Sequence, residues 1–504
     1  MDNASARVIE PSYNNTELDK SLVFGIAWTS GMKWFGQLLS WASTIVVARL
    51  LVPADFGLIG MASVYFGLVM LFTECGLGAT IVIKRELTVN QLAQLNTLSV
   101  LIGLTALAVS VAGAKPVAHF FGAPSLRWVV VVMSFACVIT AFQTVPSAVM
   151  QKEFQFRSLA IFEGCQSLVA AVSTVVLAFL GFGYWALVLG NLTGISVLIT
   201  LLLTKRSQHF AWPRTQEIKE CLTISSHIWV SRLAWYLQSN ADFLIAGRML
   251  GQWALGIYTI GWDLASAPVD KVSALTARVT PALFTAVSSD SAALRRYLLM
   301  LTEGLALITV PMSWGLAIVA DEFVLLVLGD KWQASTGPLR ILAILAALRC
   351  IVGFLPQILN ATGASRLSMY NGITGGILLP VGFYLGSRWG IVGIAMAWLI
   401  TYPFLVFPLY WWVFRRIQMG TTQYLRVLWP TLSASAVMVA SVAILKLFLP
   451  SAWELALRFF LEVVVGIVVY LAIIGSLHRE RVSTITRFLR DLRTTPQPCT
   501  ITGR

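Results

Sequence analysis

Residues 20–57 read KSLVFGIAWTSGMKWFGQLLSWASTIVVARLLVPADFG. The run from Leu22 to Leu51 is longer than the ~20 apolar residues a helix needs to cross a bilayer. Lys33 interrupts it near the middle. A cation at membrane depth costs at least ~2.5–3.5 kcal/mol on insertion scales, so Lys33 is expected to face a protein interior or a wet cavity. The pattern returns at 219–256, KECLTISSHIWVSRLAWYLQSNADFLIAGRMLGQWALG. Arg232 stands where Lys33 stood, Arg248 where Arg49 stood, and Gly256 where Gly57 stood. In both copies 16 residues separate the cations and 8 more lead to the glycine. The chain therefore reads as two related halves.

Composition agrees with a membrane protein. Of 504 residues, 57% are hydrophobic and only 12% charged, half the charged fraction of a soluble domain. The first 20 residues are polar, carry Asp2, Glu10, Glu17 and Asp19, and lack a basic segment and cleavage site, so no removable signal peptide is expected. The six cysteines have no Cys-x-x-Cys or Cys/His spacing suited to metal, and no cofactor or metal is expected. The net charge of +13 does not point to nucleic acid. The basic residues gather at span ends and in alternate loops, as the positive-inside rule produces.

Fourteen spans are expected, at 22–51, 55–79, 92–113, 126–149, 159–180, 184–204, 222–246, 252–277, 296–320, 337–361, 367–385, 389–414, 427–449 and 453–477. The fold class is thus an all-α polytopic membrane protein. It divides into a cytoplasmic tail (1–21), an N-lobe (22–204), a cytoplasmic linker (205–221), a C-lobe (222–414), two further spans (427–477) and a basic tail (478–504). On this reading one set of loops holds only Lys115, Arg248, Lys331 and Arg388, whereas the other set and both tails hold the remaining loop Lys and Arg. Both termini are therefore expected on the cytoplasmic side of the inner membrane. Spans 13 and 14 carry few charges and are expected to pack outside the lobes, offering an apolar groove to a lipid tail.

Four ionisable residues fall near mid-span: Lys33, Arg232, Asp263 and Arg349. Helical spacing puts Gln37 and Trp41 on the face of Lys33, and Tyr236 and Asn240 on the face of Arg232. Three positive charges against one negative suit a cationic cavity for an anionic headgroup, because guanidinium forks match phosphate. The alternative is ion pairing that locks helices together, for example Arg232 with Asp263. Nearer the span ends lie Glu74, Glu163 and Glu303 on one side and Asp242 on the other. Together with Asp263 they are candidates for proton or ion coupling, although snorkelling and interhelical hydrogen bonds explain end-placed carboxylates equally well. Glu462 lies about mid-span in span 14. There is no nucleotide-binding Gly-x-x-x-x-Gly-Lys-Ser/Thr run, no His-Glu-x-x-His and no Gly-x-Ser-x-Gly elbow, so an enzyme is disfavoured.

The run GMKWFGQLLSWASTIVVARLLVPADFGLIGMASVY, followed by FTECGLGATIVIKREL, resembles the start of polysaccharide transporters of the Wzx flippase type, within the multidrug/oligosaccharidyl-lipid/polysaccharide exporter superfamily. Further similar stretches are PSAVMQKEFQFRSLAIFE at 146–163, GRMLGQWALGIYTIGWDLASAPVDKV at 247–272, VLGDKWQASTGPLRIL at 327–342 and LRCIVGFLPQILNATG at 348–363. The resemblance implies a V-shaped, two-lobed bundle working by alternating access. It implies export of undecaprenyl-diphosphate-linked oligosaccharide for exopolysaccharide, capsule or lipopolysaccharide. The expected partners are this cargo, membrane lipids, a polysaccharide polymerase and glycosyltransferases, with the chain acting as a monomer. A cation-coupled drug exporter, a lipid II exporter and a non-transporting synthase scaffold are the competing readings.

Overall fold

The computed structural model of the chain describes residues 15–74, 77–83, 87–153, 155–205, 208–214, 232–233, 235–277, 280–450 and 453–477. Among them every regular element is a helix. Both tails' outer parts and linker residues 206–207 and 215–221 lie outside the described residues, as do the side chains of Lys33 and Glu74.

Helix α1 (Asn15–Leu50) has 36 residues, or ~54 Å at 1.5 Å per residue, so it extends beyond the ~30 Å hydrocarbon layer. Two residues, Leu51 and Val52, separate it from Pro53, which begins α2 (Pro53–Glu74) at the position where a missing N–H costs nothing. A short α3 (Leu77–Ile83) follows. Helix α4 (Val89–Phe121) is bounded by a capping box between Thr88 and Gln91 and by left-handed Gly122 at φ 66°. Next come α5 (Leu126–Lys152), α6 (Phe156–Phe179) and α7 (Tyr184–Lys205). Small residues bring these helices close. A Cβ on Gly36 would meet Ser167, one on Gly103 would meet Cys137 and Ala141, and one on Gly194 would meet Gln166 and Ala170. Such contacts are how helices associate in lipid, where burial from water no longer drives them together.

The described part of the linker is a strap on α4 and α5. Asn96 donates to the Gln208 side chain and the His209 carbonyl, Gln208 donates to the Phe142 carbonyl, and the amides of Ala211 and Arg214 donate to Thr97 and Gln94. Helix α8 (Ala241–Ala277) is broken at Gly251, whose φ of 82° and ψ of −178° reverse the chain. Without a Cβ, glycine adopts this backbone at no steric cost. The break falls between the seventh and eighth expected spans.

After α9 (Thr280–Ala286) come α10 (Ser291–Ile318), α11 (Ala320–Val327) and a 3₁₀ turn at Asp330–Ser335. The expected spans leave 321–336 as a connection, and it is filled by α11 and this turn, where Trp332 is fully buried. Then follow α12 (Thr336–Val352), α13 (Phe354–Ala361), α14 (Ser365–Gly386), α15 (Gly390–Arg416), α16 (Thr421–Phe448) and α17 (Leu455–Leu477). Ten stretches are long and apolar enough to cross a membrane among the described residues. One of them, Ser365–Arg416, has 52 residues and holds both α14 and α15. At ~78 Å of helix it exceeds one crossing twofold.

Two compact units emerge: Met1–Ile260 with Thr374–Ala397, and Gly261–Ile373 with Trp398–Arg504. The first takes in residues from both copies of the repeat. In the second, α10 packs on α12 and α16, and α16 packs on α17. Its core includes Leu298, Leu305, Leu355, Leu359, Leu409 and Tyr424.

Candidate functional site: charged and aromatic groups at membrane depth

The repeated glycines touch. Within the first unit, a Cβ on Gly57 would lie 2.9 Å from the Gly256 nitrogen and 2.5 Å from the Gln252 carbonyl carbon. A Cβ on Gly256 would lie 2.8 Å from the Gly57 nitrogen. The two backbones are thus in direct contact where α2 crosses the second half of α8. The same face of α2 continues through Gly60, against Leu255 and Thr259, to Gly67, against the Tyr236 ring. Tyr236 donates its hydroxyl to the Val64 carbonyl at 2.8 Å, so this expected headgroup residue is engaged in helix packing. Asn240 donates to the Tyr236 carbonyl at 2.9 Å. Arg248 bonds the Phe120 carbonyl at the end of α4 and stacks 5.3 Å over the Phe120 ring, a favourable place for a cation because the last carbonyls of a helix are otherwise unpaired.

Asp242 is fully buried in the first unit. It accepts the Tyr258 hydroxyl at 2.8 Å and the Phe243 amide at 3.0 Å. A carboxylate so enclosed holds helices together. Arg232 is exposed, whereas Gln37 and Glu163 are half-buried. Lys33 and Glu74 contribute their backbone to α1 and α2.

A distinct cluster surrounds Arg349 in the second unit. Its guanidinium lies 4.5 Å from the Trp262 ring centre and 5.4 Å from that of Trp398. The two indoles are 5.6 Å apart and inclined by 39°. Trp398 is buried and packs edge-on against Tyr402 at 6.0 Å. Asp270 lies within electrostatic range of Arg349 and Lys271, and Asp263 within range of Asp270. Asp263 and Asp270 are seven residues apart on α8, two helical turns along one face. Asp263 is exposed. At membrane depth an exposed carboxylate belongs to a water-filled space, because facing lipid would be costly. Asp270 is thus the carboxyl that faces both cations, with Asp263 next along the same face of α8.

Of the residues expected at depth, this cluster joins Asp263 and Arg349. Sequence reasoning missed Trp262, Trp398, Tyr402, Asp270 and Lys271. The run Trp262-Asp263 followed by Asp270-Lys271 carried a signal, since two polar pairs eight residues apart share one side of an otherwise apolar helix.

An all-helical, multi-pass bundle with charged and aromatic groups at depth defines a membrane transporter. The chain belongs to the family of polysaccharide biosynthesis proteins, whose model matches residues 46–336. It is 26% identical over 369 residues to an uncharacterized membrane protein in the cps region of Klebsiella pneumoniae, covering 72% of this chain and 76% of that protein. It is 24% identical over 388 residues to the lipopolysaccharide biosynthesis protein WzxC of Escherichia coli strain K12, covering 74% and 77%. Its fold is similar to that of the lipid II flippase MurJ in an inward closed conformation, with a TM-score of 0.72, 13% identity, and coverage of 90% of this chain and 99% of that one.

Proposed function

We propose that this chain is a flippase that carries undecaprenyl-diphosphate-linked oligosaccharide repeat units across the inner membrane by alternating access. The product serves exopolysaccharide, capsule or lipopolysaccharide assembly. The carrying observation is the polysaccharide-biosynthesis family match over 46–336 in a chain built as a multi-pass helical bundle. Glycosyltransferases would supply the cargo and a polymerase would consume it.

The Lys and Arg distribution supports cytoplasmic termini. In that orientation the Gly57–Gly256 contact lies at the extracytoplasmic end, where the two copies of the repeat close on each other. Lys33 and Arg232, flanked by Gln37 and Asn240, are assigned to the diphosphate. Glu74 and Glu163 are the carboxylates proposed for ion coupling. The test is export of surface polysaccharide by cells carrying Lys33→Ala or Arg232→Ala in place of the native chain. Each variant should insert normally and abolish export. Normal export at normal protein level would remove the headgroup assignment.

A further inference from the structure

We infer that the cluster of Trp262, Arg349, Trp398, Asp263 and Asp270 recognises a pyranose ring of the cargo and not its diphosphate. This inference rests on the flippase reading and divides the cargo between two places in the chain.

Charge comes first. A diphosphate brings about two negative charges, and a site for it needs cations that nothing else neutralises. Around Arg349 the cations already have carboxyl neighbours, because Asp270 lies within range of both Arg349 and Lys271, and Asp263 within range of Asp270. A diphosphate placed there would meet two carboxylates within the same cluster. A neutral sugar meets no such penalty. Its hydroxyls both donate and accept, so carboxylates and a guanidinium can pair with the same ring.

Shape comes second. One face of a pyranose presents only C–H groups, and a flat indole is the side chain that matches it over the largest area. Trp262 is half-buried and so presents part of its surface, whereas Trp398 is buried behind it. The stack of Arg349 over both rings fixes the guanidinium through cation–π contact. The fork is therefore aimed before the cargo arrives. Exposed Asp263, the residue after Trp262 on α8, supplies a further acceptor at the same level of the helix.

The test uses proteoliposomes and a fluorescent polyprenyl diphosphate, either bare or bearing one glucose, galactose, mannose or N-acetylglucosamine. For the native chain, at least one glycosylated probe should cross about tenfold faster than the bare probe. Trp262→Leu and the nearly isosteric Asp263→Asn should bring that ratio close to one. Trp262→Phe, which keeps an aromatic face, should restore most of it. The inference is overturned if the ratio is the same in the native chain and both variants. It is also overturned if bare and glycosylated probes slow equally, which would mark a phosphate site. If the native chain moves neither probe, the flippase reading falls and takes the inference with it.

Discussion

Replacing Gly57 or Gly256 by alanine tests the contact between the two copies of the repeat. The added Cβ at Gly57 would sit 2.5 Å from the Gln252 carbonyl carbon and 2.9 Å from the Gly256 nitrogen, both backbone atoms that cannot rotate away. The Gln252 carbonyl oxygen would lie nearer still. Non-bonded atoms pack at about 3.5–4.0 Å, so α2 and the second half of α8 must separate by well over about 1 Å. Overpacking of this kind costs about 1–3 kcal/mol. Spent against the closed arrangement alone, that amount shifts its population about 5–150-fold. The two substitutions share one contact and should not add. Spin labels at exposed Val52 and Trp253 flank the crossing. In the native chain they should give a short-distance population that shrinks in Gly57→Ala and nearly vanishes in Gly57→Leu, with a matching fall in transport. Native label distances and full transport in Gly57→Leu would refute the reasoning.

Three more outcomes are expected. In the second unit, Lys446 contacts Glu322 at 2.6 Å and buried Glu462 at 3.5 Å, with Arg458 beside them. Lys446→Ala should cost about 3–5 kcal/mol by stranding buried carboxylates, seen as a lower melting temperature in detergent, and Glu462→Gln in the same chain should recover part of it. An unchanged melting temperature would show that the network contributes nothing. A reporter active only outside the cytoplasm should be silent when fused after Arg416 or at the C-terminus and active at Ser335, and the reverse pattern would invert the proposed orientation. Transport should quicken when the cargo-release side is made positive, because two negative charges moving through 100 mV gain roughly 4–5 kcal/mol. A rate that responds only to a proton or sodium gradient would assign the coupling to carboxylates.

Much of the helical architecture was legible because it is local. Apolar runs of membrane length sufficed for most spans, and the Gly251 turn falls where the seventh and eighth expected spans part. The Gly57 and Gly256 contact was half legible. Their matching intervals marked them as equivalent, but nothing in the sequence said that they meet, because that depends on how α2 crosses α8. The Arg349 cluster was less legible still. Trp262, Arg349 and Trp398 come from three helices, and a tryptophan in an apolar run reads as lipid-facing or core until its neighbours are known. Asp270 and Lys271 sit near a span end, where charges are ordinary, so the count of charges at depth left them out. The enclosure of Asp242 was not legible either. This carboxylate looked available for coupling because the partner that encloses it, Tyr258, is 16 residues away across the Gly251 reversal.

The central claim is that the chain alone moves lipid-linked oligosaccharide between leaflets. The direct measurement is leaflet exchange of a fluorescent undecaprenyl-diphosphate oligosaccharide in vesicles containing only the purified chain, followed by quenching from outside. The account predicts that label is progressively exposed to the quencher, at a rate that rises with protein per vesicle and is lost in Lys33→Ala. Exchange no faster than in protein-free vesicles, from protein that melts cooperatively, would contradict it.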